Sequence, residues 1–448
     1  MDFNRPWGTD GGNGISGRAG GRWIEMNINE LVIYRNLEHQ ELFEEVASLM
    51  GYAARRDKAD AFHCGGSLVE LAVNYGFEGN LWHCFLAFCL ANNENAYTTT
   101  CEITGAAGGS LDELAREDFG IFKALFDFDI CALEPQGMWK QLACYRPSGK
   151  GSRVFNKRVR DRIVNLAVQL EESPDVVEFQ RHVVEFYREF GVGKFGLNKA
   201  FRIAEKDEGQ VVVIDPIINV EHVYFKDIVG YGLQKNKLIE NTEAFIEGRE
   251  ANNVLLFGDA GTGKSSSVKA VLNEYYSRGL RIIEVYKHQF RALSDVLEQI
   301  KDRNYKFIIY MDDLSFEDYE LEYKYLKAIL EGGLGKRPDN VLIYATSNRR
   351  HLIREKFSDK RELDDELHNN DTVQEKLSLA SRFGVTIYFG SPDKRQFETI
   401  VKALADRYHL DMPEAELFAE ANKWELSHGG LSGRTAAQFI THLLGRKA

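Results

Sequence analysis

An α/β fold, a mostly parallel sheet with flanking helices, is predicted by two observations. From Val254 onward, strand-length apolar runs alternate with helical patterns. The first run, Val254-Leu255-Leu256-Phe257, leads directly into the glycine-rich segment Gly258-Asp259-Ala260-Gly261-Thr262-Gly263-Lys264-Ser265. A third observation adds helical parts at both ends: before residue 200 and after residue 390 the apolar spacing is that of helices.

The elements follow in order. Residues 1–25 carry many glycines and few aliphatics, and such a stretch predicts a disordered tail. Residues 26–200 read as an α-helical N-terminal domain. Leu31, Leu42, Val46 and Leu49 mark one helical face, Leu81, Phe85, Phe88 and Cys89 another, and Phe119, Phe122, Leu125 and Phe126 a third. Residues 201–221, with Val211-Val212-Val213-Ile214 before Asp215-Pro216, read as an extended linker or hairpin. The α/β core is expected over 222–390: strands 254–257, 281–286, 307–311 and 341–346, helices 264–277, 290–302 and 319–330 between them, and a further strand at Val385–Phe389. A helical lid follows over 391–448.

The 448-residue length calls for more than one domain, because single cores rarely grow past about 250–300 residues. Hydrophobic content of 44% and charged content of 28% are those of an ordinary globular chain. No run approaches the length of a membrane-spanning helix, and the N-terminus shows no secretion signal, so a cytoplasmic location without membrane contact is expected. A net charge of −12 argues against a globally basic nucleic-acid binder. Between Arg146 and Arg162, however, seven Lys and Arg residues stand against Asp161 alone, as in a phosphate-contacting patch or a solvated basic loop. The six cysteines all precede residue 145 and none forms C-x-x-C. His63-Cys64 and His83-Cys84 therefore read as buried reduced thiols rather than zinc ligands.

The glycine-rich segment has the pattern G-x-x-x-x-G-K-[ST], whose glycines let backbone N–H groups close around phosphates. Lys264 would reach the β- and γ-phosphates and Ser265 would ligate Mg²⁺, with Ser266 continuing into a helix whose N-terminus favours anions. Phe307 to Met311 is a buried parallel strand ending in Asp312-Asp313. Asp312 would hold Mg²⁺ and Asp313 would polarise the attacking water, with Glu317 a lesser candidate base. The next strand ends in Ala345-Thr346-Ser347-Asn348, which puts the Asn348 amide beside the carboxylates.

This arrangement resembles the AAA+ P-loop ATPases from Phe225 to the end of the chain. The strings NNVLLFGDAGTGKSSSVKA, IYMDDLSFED and IYATSNRRHLI are similar to a bacterial AAA+ family catalogued as an ATP-binding domain of unknown function, whose usual layout includes a helical N-terminal half. The double aspartate and the Ser381-Arg382-Phe383 triplet are similar to the replication-initiator and helicase-loader branch. The resemblance implies an ATP hydrolase using ATP and Mg²⁺, with ADP as product. It also implies that Asn348 is the first sensor, that Arg382 is an arginine finger for a neighbouring subunit's γ-phosphate, and that Arg434 is the second sensor. Val229, Gly230 and Tyr231 then look like the segment packing on adenine. The expected behaviour is a homo-oligomer that couples nucleotide state to remodelling of an unidentified protein or nucleic-acid partner. The alternative is a slow nucleotide-dependent switch or scaffold that binds DNA or protein through the Arg146–Arg162 stretch. A small-molecule kinase fits less well, given the ordered series Asp313, Asn348, Arg382 and Arg434.

Overall fold

The computed structural model describes residues 15–19, 22–26, 28–51, 58–133, 136–147, 155–206, 211–316, 320, 322–331, 338–348, 352 and 379–446. The chain divides into two compact units, Met1–Asn198 and Lys199–Ala448.

The first unit is helical: α1 (Gln40–Gly51), α2 (Lys58–Tyr75), α3 (Leu81–Asn92), α4 (Ala96–Thr104), α5 (Ser110–Asp127), α6 (Gln136–Ala143), α7 (Lys157–Glu171), α8 (Val176–Phe190) and the short α9 (Gly193–Leu197). Helix α3 is the centre. Its sequence is apolar on every side, so a partly solvated position would expose some of those residues, and all from Leu81 to Ala91 are buried. The Asn80 side chain accepts from the N–H groups of Trp82 and His83 and so fixes where α3 starts. The buried Asp118 carboxylate of α5 accepts from the backbone N–H groups of Val32, Ile33 and Tyr34, holding the entering chain against the core. Cys64, Cys84, Cys89 and Cys101 are buried thiols.

Within the stretch expected to be a disordered tail, β1 (Ile15–Ala19) and β2 (Arg22–Met26) pair antiparallel, with Arg18 opposite Trp23. The physical reason is visible in the residues. Trp23 and Ile24 have strand preference, which a count of glycines does not show.

The second unit is built on a seven-stranded sheet. Its strands are β3 (Ala200–Lys206), β4 (Val211–Pro216), β5 (Val254–Gly258), β6 (Leu280–Glu284), β7 (Lys306–Met311), β8 (Val341–Ser347) and β9 (Val385–Phe389), in spatial order β4-β3-β6-β7-β8-β5-β9. Every neighbouring pair is parallel except β3 with β4. Helices α10 (Gly232–Ile246), α11 (Lys264–Tyr275), α12 (Leu293–Ile300) and α13 (Glu322–Glu331) connect the strands. Strand β8 is buried throughout and β7 nearly so, as sheet centres covered on both faces require. The β3–β4 hairpin is not a linker. It lies on the outer edge of β6, with Phe201 and Ile203 buried, because the apolar edge of β6 would otherwise present unpaired backbone groups.

The segment expected to form a lid comprises α14 (Lys394–Arg407), α15 (Glu414–Ser427) and α16 (Gly433–Arg446). It has its own core of Phe397, Val401, Leu417, Ala421, Phe439 and Ile440, against which Val229 packs.

Candidate active site

The carboxyl ends of β5, β7 and β8 face one another across the sheet, since β8 lies between the other two and runs parallel to both. This topology brings the predicted chemistry together. Gly258, Gly261 and Gly263 all have positive φ, at 132°, 74° and 96°. At Gly258 the requirement is steric as well: a Cβ would lie 2.1 Å from the carbonyl oxygen of Phe389 on β9. Asp259, Ala260 and Thr262 fill the turn, and Thr262 Oγ1 donates to the Asp259 carbonyl at 2.8 Å. Lys264, Ser265 and Ser266 open α11.

The buried Lys264 ammonium donates to the carbonyls of Gly258 (2.9 Å) and Asp259 (2.6 Å) and to Asn348 Oδ1 (3.0 Å). Burial pulls its pKa below the usual lysine value, although Asp259, Asp313 and Asp312 act the other way. Asn348 in turn donates through Nδ2 to Asp313 Oδ1 at 2.7 Å. One amide thus bridges the loop cation and the carboxylate expected to orient water. Asp313 itself sits at φ 50°, an unfavourable conformation for a side-chain residue, and its N–H donates to Thr346 Oγ1.

Asp312 Oδ1 accepts from three hydroxyls: Ser265 (2.7 Å), Tyr310 (2.6 Å) and Thr346 (2.6 Å). Partial burial pushes this carboxyl up. The donors from Thr346, Tyr310 and Ser265 outweigh it and hold the group below its ordinary range. An ionised carboxylate beside a serine hydroxyl is a hard oxygen donor set, the kind Mg²⁺ takes while keeping several waters. These residues therefore fit the ion that Ser265 and Asp312 would hold.

The backbone N–H of Arg434 donates to Gly261 O at 3.3 Å, so α16 starts against the glycine-rich loop. Val229, Gly230 (φ 77°) and Tyr231 (φ 55°) precede α10, with the Tyr231 ring against Phe389. Arg382 is not at this end of the sheet. It lies ahead of the amino end of β9, whose carboxyl-terminal Phe389 is the residue paired with Gly258. At about 3.3 Å per residue, the strand alone puts roughly 15 Å between them. Glu317, Arg349 and Arg350 lie outside the described residues.

Sequence reasoning passed over Tyr310, Thr346 and Ser391, which donates to Asp259. The strand register puts Thr346 opposite Asp312, because Met311 pairs with Ala345, and Tyr310 lies two residues before Asp312. In the first unit, two arginines of the basic stretch have internal uses. Arg160 pairs with Asp161 at 2.6 Å, and Arg162 lies 4.1 Å over the Phe190 ring.

Residues 197–447 match the family model described as "Protein of unknown function (DUF815)", which is more than half of the chain. The replication factor C large subunit of Staphylothermus marinus is 37% identical over 71 residues, 16% of this chain and 16% of that protein. Among solved structures, a mutant RuvB of Thermotoga maritima superposes with TM-score 0.35 at 16% identity, covering 48% of this chain and 63% of that one. The Thermotoga maritima RuvB Holliday junction branch migration motor gives 0.32 at 13%, covering 50% and 73%. At those scores the superpositions carry no weight of their own. Among the described residues, no helix is long and apolar enough to cross a membrane. With more than half of its length matched by that family model, the chain belongs to the DUF815 family.

Proposed function

We propose that this protein hydrolyses ATP to ADP and phosphate with Mg²⁺, in a site completed by a neighbouring copy of the chain, and uses nucleotide state to remodel a partner. The observation that carries the reading is the continuous chain Lys264–Asn348–Asp313, beside Ser265–Asp312. In it a phosphate-loop cation, a water-orienting carboxylate and a metal site share one network. Lys264 and the loop N–H groups would bind the β- and γ-phosphates, Ser265 and Asp312 the ion, and Val229 to Tyr231 the base. Asp313 would take the proton of the attacking water, held in place by Asn348. Arg434 would sense the phosphates from the lid.

Arg382 supports the oligomeric part of the reading by its position. A residue at the far end of β9 does not reach the phosphates of its own loop, a position compatible with the finger role that the family resemblance implies for a neighbour's site. The cytoplasm is the compartment this reading assumes, and protein and DNA both stay open as the partner. The partly matching replication factor is named for replication, which makes single- and double-stranded DNA the first partners to assay.

The direct test is phosphate release by the full chain with ATP and Mg²⁺, beside Lys264→Ala. Hydrolysis that depends on Mg²⁺ and on Lys264 supports the reading. An equal rate in Lys264→Ala, or no ATP binding by the wild type, refutes it.

A further inference from the structure

The residue that follows Gly258 in the phosphate loop does something the motif alone does not require. The Asp259 side chain reaches the segment just before α14: its Oδ2 accepts from the Ser391 N–H at 2.7 Å and from Ser391 Oγ at 2.9 Å. Its own N–H donates to Phe389 O at 3.0 Å. The Ser391 donors, the backbone N–H first and the hydroxyl second, hold the carboxyl below its ordinary range, so it stays charged in this contact.

Ser391 belongs to the short connection between β9 and α14, two residues before the Asp393 cap of α14. Residues at the start of α10 also bond this connection and the end of β9. The Tyr231 hydroxyl donates to Gly390 O at 2.8 Å, and Gln234 Nε2 donates to Tyr388 O at 3.1 Å. The hinge into the lid is thus held between the segment expected to pack on adenine and the phosphate loop. Asp259 also supplies one of the carbonyls on which the Lys264 ammonium rests. A triphosphate that draws the ammonium away from that carbonyl acts on the residue whose carboxylate holds the lid.

We propose that Asp259 is a positioning residue that clamps Ser391 and so couples the setting of the lid to occupancy of the phosphate loop. The proposal rests on the nucleotide-binding reading above, but the clamp consists only of this chain's own Asp259 and Ser391, so it can be assayed without nucleotide. This separates the two tests.

The experiment uses the full chain with paired spin labels at Leu233→Cys on α10 and Leu426→Cys on α15, both positions more than 80% exposed. Cys131 and Cys144, the more accessible natural thiols, are replaced by serine. Without nucleotide, the wild-type clamp gives one narrow distance distribution. In Asp259→Ala, the population with a displaced lid rises about ten-fold or more, as losing hydrogen bonds to a charged acceptor brings. Asp259→Asn keeps an acceptor oxygen for Ser391 and restores the narrow distribution. Ser391→Ala, losing one bond of the two, falls between, and it tests the clamp even if Asp259→Ala folds poorly. Adding ATP and Mg²⁺ shifts the wild-type distance and leaves the Asp259→Ala distribution where it was. A nucleotide-free Asp259→Ala or Ser391→Ala distribution as narrow as the wild type overturns the clamp. Failure of the wild type to bind ATP overturns the underlying functional reading instead.

Discussion

Thr346 shows how much of this site depends on a single hydroxyl. It donates to Asp312 Oδ1 and accepts from the Asp313 N–H, so it orients both carboxylates at once. Thr346→Val keeps the shape and removes the donor. Because Asp312 stays open to solvent, the expected loss of stability at neutral pH is modest, about 1 kcal/mol. The pH dependence identifies the cause. Asp312 titrates below its ordinary value when folded, so its contribution is present above the unfolded aspartate pKa of about 3.9 and is lost as pH falls through the lower folded value. Urea midpoints of wild type and Thr346→Val should therefore converge in acid, and a gap that persists at the lowest pH would show that the effect does not pass through the Asp312 charge. Asn348→Ala tests a different step. The substitution uncouples Lys264 from Asp313, and kcat should fall by about 10²-fold while the KM for ATP moves little, on the scale of one lost preorganised donor. A change confined to KM would make Asn348 a binding residue only.

At the scale of elements, the strands that enclose the site were the most legible part of the chain. Leu255-Leu256 and Phe307 to Tyr310 are apolar on both faces, and only a covered parallel sheet accommodates that. The β3–β4 hairpin was legible as a hairpin, but its place beside β6 was not, because sheet neighbours depend on packing across 80 residues of chain. The β1–β2 pair was hidden by its glycine content. Ser391 was hidden for a related reason: nothing local connects a serine after β9 with an aspartate after β5 until those strands pair. The β5–β9 junction carries a prediction of its own. Gly258→Ala puts a methyl into the Phe389 carbonyl at a φ that side chains avoid, and it should cost at least ~2 kcal/mol in urea unfolding. A cost near zero would mean that the two strand ends separate easily, contrary to the tight pairing seen here.

For the whole molecule, the two units have separate cores. Trp82 is buried at the centre of the first, with its indole N–H donating to Leu125 O. Trp82→Ala should destabilise that unit by about 3–5 kcal/mol. In calorimetry it should move one transition and leave the ATP-shifted transition in place, whereas equal displacement of both would show that the units unfold as one. The helical first half was readable from periodicity, but its role was not, since Asp118 and α3 serve packing and name no ligand.

The central claim is that a site built from Lys264, Asp312, Asp313 and Asn348 in one copy is completed by Arg382 of another. Two inactive variants test it when mixed. Arg382→Ala retains its own carboxylates and lacks the finger; Asp313→Asn retains the finger and lacks the base. Each alone should hydrolyse ATP poorly, by a factor on the order of 10³ for loss of a finger. Mixed in equal amounts, they should recover a substantial fraction of wild-type phosphate release, from sites that pair an intact Asp313 with an intact Arg382. Full activity in Arg382→Ala alone, or no recovery in a mixture shown to co-assemble, would contradict the account.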